Sequence, residues 1–206
     1  SSTSEFRMTI QRKGGKSISL GDLLQSGQAT ILDLLGVAPS ISEKIVTAIL
    51  TSLFLSRRKK QIRPFALVVE EAHSFAPERG FGSSNALNIM LTIAKEARKF
   101  NMPTIFVTQR PQLISKTVLA MCQNWFILQI SNPLDLEAVT SMCEGTTSYS
   151  KDLIRNLNTG TTLVSGLTQS PILVDVRCKK SATGFSKDLM SELSEYKEGM
   201  PRPSEK

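Results

Sequence analysis

One histidine and three cysteines in 206 residues are too few for several kinds of chemistry. No zinc cluster can be assembled around His73 alone, and no serine stands in a G-x-S-x-G elbow to complete a hydrolytic triad with it. Cys122, Cys143 and Cys178 are odd in number and widely separated, so they form neither a disulfide framework nor a C-x-x-C metal site. That usage suits a reducing setting, and the expectation is a cytoplasmic protein. Long apolar runs are missing too. Stretches such as Phe65 to Val69 fall far short of the roughly 18 residues a membrane helix needs, so no membrane span is expected. The first residues, Ser1-Ser2-Thr3-Ser4-Glu5, have no basic and apolar leader, and the absent start Met suggests a cut or tagged piece. Finally, no window reads G-x-x-x-x-G-K-[ST], the loop that cradles phosphates with its backbone amides.

What is present describes an ordinary globule, with 40% hydrophobic and 21% charged residues. The length suits one well-buried domain rather than two large ones. Its net charge of +7 and pI near 9.5 favour a polyanionic partner, because neutralising phosphates releases condensed counterions.

Periodicity predicts alternating elements. Met8 to Leu20 reads as two short strands around a Lys13-Gly14-Gly15-Lys16 turn. Gly15-Lys16-Ser17 resembles the end of a phosphate loop, but Ile10 occupies the place of its first glycine. A short helix over Ser19 to Leu24 and an apolar strand over Gln28 to Leu34 follow. Ile41 to Arg58 has helical spacing, with Ser40 or Ser42 as its cap. After Pro64 comes a strand ending in Glu70-Glu71, then a loop over Ser74 to Ser84 and a helix over about Asn85 to Phe100. Pro103 to Thr108 and Trp125 to Ile130 read as strands, Leu134 to Met142 as a helix, and Thr161 to Ser165 with Ile172 to Val176 as a terminal hairpin. Such alternation implies an α/β fold with a mainly parallel sheet and helices on both faces. The division expected is a folded portion over 1–178 and a polar tail over 179–206.

In parallel sheets, sites form where the carboxyl ends of strands meet converging loops. Glu70 and Glu71 end one apolar run, and Gln109 and Arg110 end the next. Of two adjacent carboxylates at a strand end, one (Glu70) can hold waters on magnesium while the other (Glu71) orients and deprotonates an attacking water. The same pair also fits two solvated glutamates. Gln109 can position that water or sense a terminal phosphate, and Arg110 is a candidate nucleotide contact. Arg98, within Glu96-Ala97-Arg98-Lys99, is either a surface ion-pair partner or a guanidinium offered to a neighbouring subunit. His73 fits a supporting or packing role. Arg57, Arg58, Lys59 and Lys60 are candidate DNA contacts, although basic residues also favour a helix end by themselves.

Four ordered segments carry a resemblance: Gln28 to Gly36, Leu67 to Pro77 (Leu-Val-Val-Glu-Glu-Ala-His-Ser-Phe-Ala-Pro), Glu96 to Phe100, and Thr108 to Pro111 (Thr-Gln-Arg-Pro). Together they resemble the HerA branch of the HerA-FtsK ATPases, over about Ser17 to Arg177. The resemblance implies part of a RecA-like P-loop NTPase core of the ASCE type, using ATP and Mg2+. It further implies a homo-hexameric DNA translocase or helicase acting in DNA-end processing and repair, with a NurA-type nuclease as partner. By position, Glu70 and Glu71 match the Walker B carboxylates, Gln109 the sensor glutamine and Arg98 a trans-acting arginine finger. Arg79 falls near a pore loop that touches DNA backbone.

The phosphate loop departs from the family, and the expectation is the C-terminal portion of a motor domain, inactive in hydrolysis alone. Two other readings stay open. One is a non-catalytic DNA-binding or ring-assembly module; the other is a related conjugation or packaging motor.

Overall fold

The computed structural model describes residues 10–11, 17–143 and 148–176. The Lys13–Lys16 turn and the expected tail over 179–206 lie outside the described residues. Strands β1 (Ile10–Gln11) and β2 (Ser17–Ile18) pair antiparallel, with Ile10 opposite Ile18, as a hairpin requires. A single helical turn, α1 (Leu20–Leu23), follows.

The long helix α2 (Pro39–Arg58) starts where proline presets the first helical φ and lacks only an amide that had no partner anyway. Neither expected serine caps it. Ala38 occupies the cap position, while the Ser42 hydroxyl reaches back to the Val37 carbonyl at 3.4 Å. Ser42, Ile49, Leu50, Leu53 and Phe54 are buried, the stripe expected of a helix lying on a sheet. Arg57 ties down its far end. Its Nε donates to the Phe100 carbonyl at 2.6 Å and its Nη1 to the Ile62 carbonyl at 2.9 Å.

Strand β3 (Leu67–Val69) leads into the one-turn helix α3 (Ala72–Phe75), and helix α4 (Leu87–Glu96) continues into a 3-10 turn over Ala97–Phe100. Strand β4 (Thr104–Phe106) then pairs parallel with β3, with Val68 opposite Ile105 and Val69 opposite Phe106. A 3-10 turn over Pro111–Leu113 and helix α5 (Lys116–Met121) connect to strand β5 (Trp125–Ile127). Helices α6 (Pro133–Met142) and α7 (Ser148–Arg155) precede the hairpin of β6 (Thr161–Ser165) and β7 (Ile172–Asp175). Lys151 of α7 pairs with Glu137 of α6.

The α/β class holds, yet the described strands do not form one mainly parallel sheet. Among the described residues only β3 and β4 pair parallel, while β5, β6 and β7 form an antiparallel sheet of their own. Two consecutive helices return β6 alongside β5 in the opposite direction, and a short turn does the same for β7.

Helices cover one face of the parallel pair. Leu50 and Phe54 of α2, Met90 and Ile93 of α4, and Val118 of α5 pack with Val69, Met102 and Ile114 in one core. The Phe54 and Phe100 rings meet edge to face at 5.7 Å. A second core joins Ile127 and Leu163 to α6 and α7, and Trp125 packs against both. The other face departs from the expected second helical layer. Paired residues Val68 and Ile105 are exposed there, as the strand period of two dictates.

The expected strand over Gln28 to Leu34 is also absent. The segment is in no ladder, and Ile31 and Leu35 are 88% and 92% exposed. A strand is defined by its partner, and among the described residues this segment pairs with none.

Helix α6 has the clearest local start signal. Asn132 caps it, its side-chain oxygen accepting from Leu134 N–H at 2.9 Å and Asp135 N–H at 3.3 Å, with Pro133 at the first position. Asn132→Ala is expected to cost about 1 kcal/mol. A denaturant midpoint shifted without a change in slope checks this.

Candidate active site

Parallel register brings the carboxyl ends of β3 and β4 level, and the backbone pairing continues past both strands. Val107 N–H donates to the Val69 carbonyl and Ala72 N–H to the Val107 carbonyl, each at 2.9 Å. Glu70 and Glu71 on one chain segment therefore lie beside Thr108 and Gln109 on the other.

The carboxylates differ from the expected geometry in one respect. Strand β3 stops at Val69, so strand alternation does not separate the two side chains. Glu71 instead adopts a left-handed conformation, φ 48° and ψ 44°, at the entry to α3. For a residue with a Cβ this costs on the order of 1–2 kcal/mol. The turn is held by Ala72 N–H on Val107 and by Ser74 N–H on the Glu71 carbonyl at 2.9 Å.

Glu71 is half-exposed and its Oε2 lies 3.3 Å from His73 Nδ1. That ring nitrogen is also 3.0 Å from Thr108 Oγ1, which accepts from Arg110 N–H at 3.1 Å. Glu70 and Gln109 are exposed beside this cluster. Among the described residues there is no group of three or more acidic, histidine or cysteine side chains placed to cage a metal. Magnesium does not need one: it keeps several waters and uses one or two carboxylates, so the exposed Glu70 fits it. The residues for holding phosphates do not appear in the chain, whose 206 positions contain no phosphate loop.

Arg110 sits at the expected strand end, but its guanidinium has a local partner. Its Nε is 3.5 Å from Oδ2 of Asp135, a carboxylate buried in the first turn of α6. The other oxygen, Oδ1, accepts from Gln112 N–H at 3.1 Å. Asp135 thus anchors the loop that carries Gln109, a role the sequence reading missed. The available signal was the Asn132-Pro133 helix start, which places an acidic residue beside unpaired amides.

The loop after the carboxylates is stitched to the same region. Glu78 Oε2 accepts from Lys116 N–H at 2.7 Å, and Ser115 N–H donates to the Ala76 carbonyl at 2.8 Å. Arg79, next to this anchor, is exposed.

Arg98 lies elsewhere. It occupies the 3-10 turn before β4, at the amino end of the strand whose carboxyl end carries Gln109. Five extended residues between those ends span roughly 15 Å, so the parallel pair stands between Arg98 and the carboxylates of its own chain. Its Nη1 donates to Gln123 Oε1 at 3.0 Å. Arg57 joins the same end through its bond to Phe100, and its guanidinium is engaged with backbone carbonyls there. Arg58, Lys59 and Lys60 are exposed beside it. Burial pushes the Cys122 thiol above its ordinary value, which keeps it protonated and a poor nucleophile.

No protein-family model matches the chain. The DNA double-strand break repair helicase HerA of Pyrococcus furiosus is 36% identical over 104 residues, 50% of this chain and 18% of the relative. The HerA helicase of Sulfolobus acidocaldarius is 26% identical over 195 residues, 88% of this chain and 39% of the relative. Against these two the chain spans from under a fifth to about two fifths of their length. Among solved structures, VirB4 of Thermoanaerobacter pseudethanolicus superposes with a TM-score of 0.57 at 19% identity, over 71% of this chain and 40% of that one. The genome-packaging NTPase of Sulfolobus turreted icosahedral virus 2, in complex with ATP-gammaS, gives 0.54 at 16% identity, over 79% and 73%. The chain shares the fold of these two structures over the residues matched. The resemblance to the HerA branch read from four sequence segments is matched by these helicases.

Proposed function

Because this chain resembles HerA helicases in sequence, we propose that it is the Walker B, sensor and arginine-finger portion of an ATP-driven DNA translocase or helicase. The observation that carries the reading is the level meeting of the Glu70-Glu71 turn with the Thr108-Gln109 loop. Glu71 takes the proton from an attacking water, and Gln109 orients that water against the terminal phosphate. Glu70 would hold a magnesium ion, which would supply charge neutralisation on the phosphates. Arg98, at the opposite end of the parallel pair, serves a neighbouring subunit rather than its own carboxylates, in keeping with a ring of six. Action in DNA-end repair, with a NurA-type nuclease, follows from the same resemblance.

The test is ATP hydrolysis by the complete polypeptide with and without DNA. Turnover that rises with added duplex is expected, whereas turnover indifferent to DNA overturns the translocase reading. A second reading is a DNA-binding or ring-assembly module without turnover. Absence of any ATP hydrolysis by the complete polypeptide selects it.

The exposed cations at the end of α2 are proposed DNA contacts, together with Arg79. Arg57 is excluded from that test because it braces the fold, and Lys60 because its own φ is 58°. The double variant Arg58→Ala and Lys59→Ala is expected to weaken binding equally on all DNA sequences. It should also flatten the slope of log affinity against log salt by about 0.9 for each phosphate that is no longer neutralised. Binding measured at several salt concentrations checks this.

A further inference from the structure

The lone histidine has an assignment that residue counting does not provide. Its ring, whose side chain is 21% exposed, lies between the half-exposed Glu71 carboxylate and the Thr108 hydroxyl. An ionised carboxylate only accepts hydrogen bonds, so a favourable contact requires the proton on Nδ1. That N–H then meets Thr108 Oγ1 at 3.0 Å, with Glu71 Oε2 in ion-pair contact with the same nitrogen at 3.3 Å. Thr108 is itself fixed, because its oxygen accepts from Arg110 N–H and the Arg110 guanidinium lies on buried Asp135. One chain of ion-pair and hydrogen-bond contacts thus runs from Glu71 through His73, Thr108 and Arg110 to helix α6, along the loop that carries Gln109.

We infer that His73 is a positioning residue, which through Nδ1–H holds the Glu71 carboxylate in register with the Thr108-Gln109 loop. The inference rests on the proposed role of Glu71 as the base. The left-handed backbone at Glu71 brings its carboxylate to this contact, and the contact restrains a side chain that is otherwise half-solvated. Removing that restraint leaves nucleotide binding intact and lets the base swing away from the water that Gln109 orients. Misplacement of a catalytic group by about 1 Å costs up to about 10²-fold, and a restraint released on one side costs less.

The position of the nitrogen provides the test. In the complete polypeptide, His73→Asn puts an amide nitrogen where Nδ1 stands, whereas His73→Gln puts it one atom further out. His73→Gln is expected to lower kcat about tenfold with KM for ATP unchanged, and His73→Asn to recover most of that loss. Thr108→Val, which removes the hydroxyl at constant shape, should lower kcat similarly. Combined with His73→Gln it should add little, because both act on one chain of contacts. Equal kcat for the Asn and Gln variants overturns the inference, as does a loss confined to KM. Thr108→Val decides the matter if a histidine variant fails to fold: kcat at the wild-type level overturns it. Glu71→Gln serves as the control. Normal hydrolysis in that variant removes the base assignment itself; a dead Glu71→Gln with indistinguishable histidine variants removes only the role of His73.

Discussion

Glu71→Gln in the complete polypeptide is expected to retain ATP and to lower turnover by about 10²–10⁴-fold, the contribution of a positioned general base. The substitution isolates basicity. Glutamine matches glutamate in size, its amide oxygen can still accept from His73 Nδ1–H, and a left-handed backbone is about equally costly for either residue. What disappears is the capacity to receive a proton from water. Since Glu71 is half-exposed and at the surface of the turn, no buried charge is left unpaired, and the melting temperature should move little. Nucleotide retained on the purified protein and phosphate released per minute are the two readouts. Turnover within a few-fold of the unmodified protein would eliminate Glu71 as the base and shift attention to the neighbouring Glu70.

Helices α2 and α4 were legible in the sequence because their apolar spacing matches the face they bury, and β4 was legible as a short apolar run. The hairpin of β6 and β7 was legible for a similar reason, two apolar runs joined by a polar turn. The unexpected features concern partnership. Ile31, Leu32 and Leu35 look like strand residues, but whether they enter a ladder depends on an edge located elsewhere. The antiparallel arrangement of β5 with β6 follows from how α6 and α7 turn the chain, which local propensity does not encode. Helix α7 was missed because its sequence, Ser-Tyr-Ser-Lys-Asp-Leu-Ile-Arg, is mostly polar, and its place is set by Ile154 entering the second core. The meeting of Glu71 with Thr108 was readable at the level of strand order. The left-handed backbone of Glu71 and the contact of His73 with Thr108, 35 residues away, needed coordinates.

Gly166→Ala is expected to be the most damaging small substitution in the scaffold. The residue follows β6 at φ +87°, where a Cβ would lie 1.8 Å from the Gln123 carbonyl oxygen and 3.2 Å from the Asn124 Cα. Both neighbours are backbone leading into β5, whose Trp125 pairs with Ser165, so neither rotates aside. Overpacking costs about 1–3 kcal/mol in ordinary cases, and the left-handed conformation adds about 1–2 kcal/mol for alanine. A total near 4 kcal/mol lowers the melting temperature by roughly 8–16 °C for a domain of this size. Gly80 separates the two contributions. It has the same φ of +87° but no atom within 4 Å of its would-be Cβ, so Gly80→Ala carries the conformational cost alone and should shift melting by only a few degrees. Similar losses at both positions would mean that the β6 end does not press against Gln123 as described. The consequence also reaches the basic end of the parallel pair. Gln123 accepts from Arg98 Nη1, so a β5 entry pushed away from residue 166 carries with it the hydrogen bond that orients the proposed arginine finger.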